Sequence, residues 1–463
     1  MGLWESLRSS GALSGGRLWA GDTMVRLEEL ERASLFGPQR LERLRGQAVF
    51  LSVADALTAA LAFIELDGVA RRVVLAPPGL DSEHLPALVR ATEAQVWLGD
   101  STAPLPLEQL PLGAPRLASG AVRRQFSHPT EWVLLSSGTA GVPKPIAHTL
   151  ETLEAPLKGE PSGALGLMWS TFYDIRRYGG LQILLRALHS GSLLLRAGGQ
   201  PLPEFLALAA RLGITHMTGT PSHWRAALMS GAISQISPRY VRLSGEIADQ
   251  GILDNLDQTF PQAQLVHAFA SSEAGLAFEV HDRQAGFAAS LLSGPSQQIP
   301  GCKLIAGLEI KLQEETLRIR SPATAVRYLG ADAPPLHDRA GFVDTGDRVQ
   351  LRDGRAYFVG RAGGIINVGG LKVHPEEVEA IINTHPGVRI SRVTARRSPI
   401  TGALVIAEVV TSETDATEAG EELVREILEL CRKALPAHKV PARVQLVRHL
   451  PVSAAGKLVR SDA

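Results

Sequence analysis

The spacing of apolar positions changes several times along the 463-residue chain. Between Leu27 and Leu66 apolar residues recur largely at three- and four-residue steps, as at Leu27 and Leu30 and again at Leu57, Ala60 and Phe63, which predicts helix. Short apolar runs interrupt this pattern. Val49-Phe50-Leu51, Arg72-Val73-Val74-Leu75 and Gln95-Val96-Trp97-Leu98 predict strands, with a helix over His84 to Glu93 between the last two. The alternation predicts a parallel α/β sheet. A proline-rich stretch, Ala103 to Pro115, reads as an extended connector to the buried run Trp132-Val133-Leu134-Leu135. Helix and strand then alternate again: helix at Leu181 to Leu188, strand at Ser192 to Leu195, helix at Glu204 to Leu212, strand at Thr215 to Met217, strand at Tyr240 to Leu243, a helix through Leu256, and strand at Gln264 to His267.

From about Gly294 to Arg361 the pattern shifts to short strands such as Glu309 to Leu312 and Leu317 to Arg320, a β-rich module. Two glycine pairs follow, Gly363-Gly364 and Gly369-Gly370, which permit large backbone rearrangement and read as a hinge. Beyond them a helix at Glu376 to Asn383, a strand at Ala403 to Val410, a helix at Glu421 to Leu435 and a strand at Arg443 to Val447 predict a small α+β domain. The expected organisation is therefore α/β: a large N-terminal domain of doubly wound sheets plus a β-rich module over residues 1–360, a hinge at 361–370, and a small mobile C-terminal domain at 371–463.

Composition narrows the function classes. Hydrophobic residues make up 45% of the chain and charged residues 20%, an ordinary globular balance. Lys+Arg and Asp+Glu both total 47, so no basic field favours nucleic acid or an anionic membrane. Cys302 and Cys431 match neither a disulfide framework nor a metal-binding pair, and no signal or membrane-length apolar run is present, so a cytoplasmic protein is expected.

The polar stretch Ser136-Ser137-Gly138-Thr139-Ala140-Gly141-Val142-Pro143-Lys144 follows a buried strand. Its glycines allow close backbone approach, its hydroxyls can donate to anionic oxygens and its lysine adds charge, a combination suited to phosphate. An ordinary turn is the competing reading. Phe269-Ala270-Ser271-Ser272-Glu273 ends a strand at the edge where doubly wound folds bind ligands, and Glu273 is placed either to hold Mg²⁺ or to cap the next helix. Asp344-Thr345-Gly346-Asp347, with Gly360-Arg361 downstream, offers an aspartate for ribose hydroxyls and an arginine for ribose or phosphate, or else a tight turn.

In order along the chain, these motifs resemble the adenylate-forming family of acyl- and aryl-CoA synthetases. The glycine-rich run from Arg361 to Val373 and the terminal Pro451-Val452-Ser453-Ala454-Ala455-Gly456-Lys457-Leu458-Val459-Arg460 strengthen the likeness. The resemblance implies that Ser136, Ser137, Gly138, Thr139, Gly141 and Lys144 hold the phosphates of ATP. It further implies that Gly245, Glu246, Phe269, Ala270, Ser271, Ser272, Asp347 and Arg361 bind the nucleotide, Phe269 stacking on adenine where the family has tyrosine. Glu273 is implied to hold Mg²⁺, and Lys457 to reach the substrate carboxylate and α-phosphate. Gly363, Gly369 and Gly370 would form the hinge and the passage for a pantetheine thiol; the family usually has aspartate or lysine at the place of Gly363. The acid's pocket would include His148, Tyr178, Gly179, Thr220 and Ala268, with Tyr178 and His148 equally readable as core.

The implied reaction joins a carboxylic acid, an aryl acid being one reading, to coenzyme A through an acyl-adenylate. A pantetheinylated carrier protein is the alternative acceptor, and a non-catalytic nucleotide- or acyl-binding relative is the remaining reading.

Overall fold

The structure is a computed structural model. It describes residues 2–103, 105–120, 126, 128–136, 143–163, 166–292, 299–361, 364–368, 371–398, 402–411, 417–452 and 457–459.

Two large sheets form the body of the chain. In the first, the parallel strands Glu131–Leu135, Arg72–Leu75, Ala48–Ser52, Val96–Gly99 and Glu108–Pro111 lie side by side in that order, extended antiparallel by Pro145–Thr149 and Arg327–Tyr328. The strand Glu108–Pro111 falls inside the proline-rich stretch read as a connector; at the sheet edge only one side of its backbone needs a partner, which tolerates Pro111. In the second sheet the parallel set runs Gln264–Ser271, Tyr240–Ser244, His216–Gly219, Leu167–Thr171, Gly191–Leu195 and Arg17–Ala20. Thr23–Arg26 closes one edge, and Gly275–Val280 followed by Cys302–Leu304 closes the other.

Helix Ala56–Leu66 is buried on every side, which is why its sequence lacks a polar face. Its Phe63 ring lies 4.0 Å from that of Trp132, whose indole donates to Asp67. Helix Tyr178–Ser190 is almost as deeply enclosed, with Leu181, Leu184, Leu185 and Leu188 in the same core. Its entry is tight: a Cβ on Gly180 would stand 2.2 Å from the carbonyl oxygen of Asp174. Gly180→Ala gains helix propensity worth under ~1 kcal/mol but must displace backbone, so a net destabilisation of about 1–3 kcal/mol in urea unfolding is the expected result.

The β-rich module is a five-stranded antiparallel sheet in the order Phe287–Ala288, Arg355–Arg361, Val343–Arg352, Thr316–Arg320, Glu309–Gln313. In the small domain, Val388–Ser398, Gly402–Thr411 and Arg443–Leu446 form a sheet packed against helices Pro375–Ile382 and Thr417–Ala434. Its boundary differs from the expected one. Ile366–Val368 pairs with Leu371–Val373, and Ile366 packs with Val373, Val378 and Ile382, so part of the expected hinge already belongs to the small domain's core.

Candidate active site

The carboxyl ends of four neighbouring parallel strands, ending near Thr171, Gly219, Ser244 and Ser271, meet at one crevice, the position at which open α/β sheets bind ligands. Tyr173 fixes three of these ends together: its hydroxyl accepts from the Ser244 amide at 3.0 Å and donates to the Gly219 carbonyl. Burial pushes this phenol well above its ordinary value, so it stays neutral and keeps its donor.

Thr220 caps helix Pro221–Met229, its hydroxyl accepting from the His223 amide at 3.1 Å. Burial lowers the His223 imidazole to about 4, so it is neutral. Beside it, Glu246 accepts from the Ser222 amide at 2.9 Å and the Ser222 hydroxyl at 3.0 Å. Gly245 adopts φ +86°, and a Cβ there would approach Lys457 Nζ to 3.9 Å and Thr220 Cγ2 to 3.7 Å. Lys457, from the far end of the chain, therefore lies directly over Gly245. Burial holds its ammonium below the usual lysine value; the charge of Glu246 opposes this, Arg361 and Arg177 add to it, and Asp347 opposes it.

Asp347 and Arg361 face each other across adjacent strands, and Arg361 Nε donates to Asp347 Oδ1 at 3.1 Å. Burial raises the Asp347 carboxyl, partly offset by Arg361, while Asp347 in turn raises Arg361. Lys457, Asp347, Arg361, Gly245 and Glu246 are thus gathered at one place, although they come from separate parts of the chain.

Glu273 occupies the turn between Gln264–Ser271 and Gly275–Val280. Its carbonyl accepts from the Ala325 amide at 2.9 Å, and its carboxylate accepts a long 3.4 Å bond from the Tyr328 hydroxyl. Burial, followed by the Glu273 charge, raises the Tyr328 phenol well above its ordinary value. Lys144 Nζ lies 5.5 Å from the centre of the same ring. Lys144 and Ser136 close the base of the polar loop, the Ser136 amide donating to the Lys144 carbonyl at 3.0 Å. Ser137, Gly138, Thr139 and Gly141 lie outside the described residues, as do Gly363, Gly369 and Gly370. The Ser271 hydroxyl accepts from the Ala274 amide at 2.9 Å and shapes the Glu273 turn. The Ser272 carbonyl and His148 Nε2 lie 2.8 Å apart.

Several of the expected site residues have structural partners. His148 is fully buried, with Thr152 at Nδ1 and Ser272 at Nε2; burial lowers it to about 4, and its neutral ring ties the first sheet to the Glu273 turn. Tyr178 is 4% exposed and its hydroxyl accepts from the Leu276 amide at 2.8 Å, so it lies in the core rather than open to a ligand. Ala268 is buried in the same core, and Gly179 abuts the Tyr173 ring. The half-buried Phe269 ring stacks on Phe358 at 4.9 Å and is 5.7 Å from Phe278, and a register irregularity separates it from Ala270.

Other contributors had no sequence signal. Asn383 of the small domain donates to Asp249 at 3.2 Å, Arg225 pairs with that carboxylate, and a Cβ on Gly251 would stand 2.7 Å from the Asn383 carbonyl oxygen. These contacts seat the small domain on the large one, and no local spacing announces them. Arg177, beside Lys457, has a buried Nε with no hydrogen-bond partner among the described residues, whereas Arg176 is held by Asp174 and the Val53 carbonyl.

The AMP-binding enzyme profile matches residues 54–323, more than half of the chain, and the AMP-binding enzyme C-terminal domain profile matches residues 377–457. The 4-chlorobenzoate–CoA ligase of an Arthrobacter species is 26% identical over 517 residues, covering 99% of this chain and 92% of that protein. Human mitochondrial acyl-coenzyme A synthetase ACSM3 is 36% identical over 125 residues, 27% of this chain but only 21% of the relative. Among solved structures, the o-succinylbenzoate CoA synthetase of Bacillus subtilis, in complex with its acyl-adenylate intermediate, superposes with a TM-score of 0.74 at 18% identity over 99% of this chain and 97% of that one. At that identity the likeness establishes the shared fold.

Proposed function

Because this chain belongs to the AMP-binding enzyme family, we propose that it activates a carboxylic acid as an acyl-adenylate, releases pyrophosphate, and passes the acyl group to a thiol, that of coenzyme A in the first instance. The observation that carries this reading is the placement of Lys457 over Gly245, next to Asp347 and Arg361. The relative that spans nearly the whole chain is a ligase of an aromatic acid, which favours an aryl acid here.

In the reaction a carboxylate oxygen attacks the α-phosphorus of ATP and pyrophosphate leaves. The protein's part is positioning and charge. Lys457 places an ammonium where carboxylate and α-phosphate meet, offsetting the negative charge that accumulates there. Asp347 accepts from the ribose hydroxyls, and the hydrogen bond from Arg361 orients that carboxylate and partly offsets the effect of its burial. Ser136 and Lys144 hold the base of the loop that grips the outer phosphates. Glu273 suits a hard cation: its carboxylate has only one long hydrogen bond among those described, so its oxygens can hold Mg²⁺, which when bound neutralises phosphate charge.

Pyrophosphate–ATP exchange across a panel of aromatic and aliphatic acids tests the reading. Exchange with at least one acid is the expected result, and its absence across a broad panel would favour a non-catalytic nucleotide- or acyl-binding protein. Offering the adenylate to free coenzyme A and to a pantetheinylated carrier protein separates the two acceptors, and thioester on the carrier alone would replace coenzyme A in the assignment. Glu273→Ala should raise the Mg²⁺ concentration needed for half-maximal exchange by about tenfold or more. An unchanged Mg²⁺ titration would remove Glu273 from the cation site.

Among the described residues no helix is long and apolar enough to cross a membrane.

A further inference from the structure

The segment carrying Lys457 is held from two directions. On the small-domain side, the Val459 amide donates to the Pro451 carbonyl at 3.0 Å, and the Val459 carbonyl accepts from Arg392 at 2.8 Å. Val452 and Leu458 form an antiparallel bridge. On the large-domain side, the amide of Leu458, the residue directly after the lysine, donates to Glu246 Oε1 at 3.2 Å. The same carboxylate is fixed by two donors from one residue of its own domain, the amide and hydroxyl of Ser222. Glu246 and Leu458 are 212 residues apart, so this bond forms only when the domains are docked.

We propose that Glu246, rather than reading the nucleotide with its side chain, is a positioning residue that latches the small domain in the arrangement presenting Lys457 to the acid, and that breaking its bond to Leu458 is part of leaving that arrangement. The inference rests on the adenylation reading above and adds to it the contact that selects one domain arrangement. A carboxylate with three donors has little acceptor capacity left for adenine or ribose, so nucleotide contact at Gly245–Glu246 falls to the backbone. The latch also places a negative charge near the lysine, which favours its ammonium form while docked. A bond between a carboxylate and a backbone amide is strong enough to shift a docking equilibrium by tenfold or more, yet it remains breakable on the timescale of turnover.

The test compares wild type with Glu246→Gln and Ser222→Ala. Glutamine keeps the size but offers one acceptor where the carboxylate offers two, so the Ser222 and Leu458 donors cannot all be met. The expected result for Glu246→Gln is a fall of about tenfold or more in the kcat of pyrophosphate–ATP exchange, with KM for ATP within about twofold and thioester formation from supplied acyl-adenylate undiminished. Ser222→Ala, which only loosens the carboxylate, should move the same way by a smaller factor. A rise in KM for ATP at constant kcat would make Glu246 a nucleotide ligand, and an equal loss of both half-reactions would make it merely structural; either overturns the proposal.

A second readout needs no turnover. Distances between bio-orthogonal spin labels at the exposed Ser234 and Arg432, one on each domain, should show one dominant docked population in wild type and a broadened distribution in Glu246→Gln. Unchanged distances would sink the latch even if the enzyme is active. A wild type that lacks exchange with every acid, yet broadens on substitution, would retain the latch and overturn only the catalytic reading.

Discussion

Lys457→Ala is expected to lower pyrophosphate–ATP exchange by at least about a hundredfold while leaving thioester formation from supplied acyl-adenylate within about threefold of wild type. The asymmetry follows from where the charge is needed. In the first half-reaction an anionic carboxylate approaches an anionic phosphate, and the ammonium over Gly245 is the group placed to offset that repulsion. In the second, a thiol attacks a carbonyl already activated by its AMP leaving group, with no second anion to bring in. The lysine is seated by the Asn383–Asp249 and Glu246–Leu458 contacts between the domains, and in the proposed two-arrangement cycle breaking them withdraws it. Equal loss of both half-reactions would contradict a two-arrangement enzyme. The pH profile supplies an internal check. Burial lowers the lysine below its ordinary value, so exchange should decline on the alkaline side earlier than an unperturbed lysine would allow, and Lys457→Arg should remove that decline. A profile still flat well above pH 10 would mean that the ammonium is not the working form.

The residues most legible in the sequence were those whose chemistry is carried by their immediate neighbours. Lys457 follows Gly456 in the sequence, Asp347 ends a Thr-Gly-Asp run that proves to be part of the strand Val343–Arg352 rather than a tight turn, and Glu273 lies just past a strand; the fold gathers Lys457 and Asp347 at one place with Arg361. The alternation of strand and helix was readable for the same reason, since each buried strand announces itself by its own apolar run. Less was readable where a side chain's role depends on a distant partner. Tyr178 resembles a ligand-facing aromatic in a motif, yet its hydroxyl is met by an amide 98 positions away. Tyr173, 71 residues from the Ser244 amide it receives, had no signature, and neither had Asn383. The strand Val388–Ser398 escaped notice because it is heavily basic: Arg389, Arg392, Arg396 and Arg397 interrupt its apolar positions, and Arg392 is neutralised by Glu408 on the neighbouring strand. Glu246 was legible as part of the site, but its partner at Leu458 was not, and that partner is what changes its assigned role.

The floor of the crevice rests on a buried ion pair, and its removal is expected to cost the most stability. Arg242, on the strand that ends in Ser244-Gly245, and Glu279, two strands away, are 4% and 5% exposed and hydrogen-bonded to each other. Burial opposes the carboxylate of Glu279, but Arg242 together with His281, Arg186 and Lys303 outweighs it and holds the group well below the usual carboxylate range. Burial likewise opposes the Arg242 guanidinium, and Glu279, aided by Tyr240 and Tyr173, outweighs it. Glu279→Gln keeps the shape and leaves a buried cation without its counter-ion, so a loss of about 3–5 kcal/mol is expected in urea unfolding at pH 7. The double variant Arg242→Met with Glu279→Leu removes both charges and should recover most of that loss, because burying the pair is itself costly. The pH dependence has a definite sign. A carboxylate depressed in the folded state contributes stability above its unfolded value, near 4.3, and that contribution is lost as pH falls toward the folded value. The gap between wild type and Glu279→Gln should therefore be constant from pH 7 to about 5 and shrink steadily below that. A gap that persists unchanged at pH 3 would mean that the glutamine variant suffers from packing rather than from charge, and the pair would lose its place as the support beneath Gly245 and Lys457.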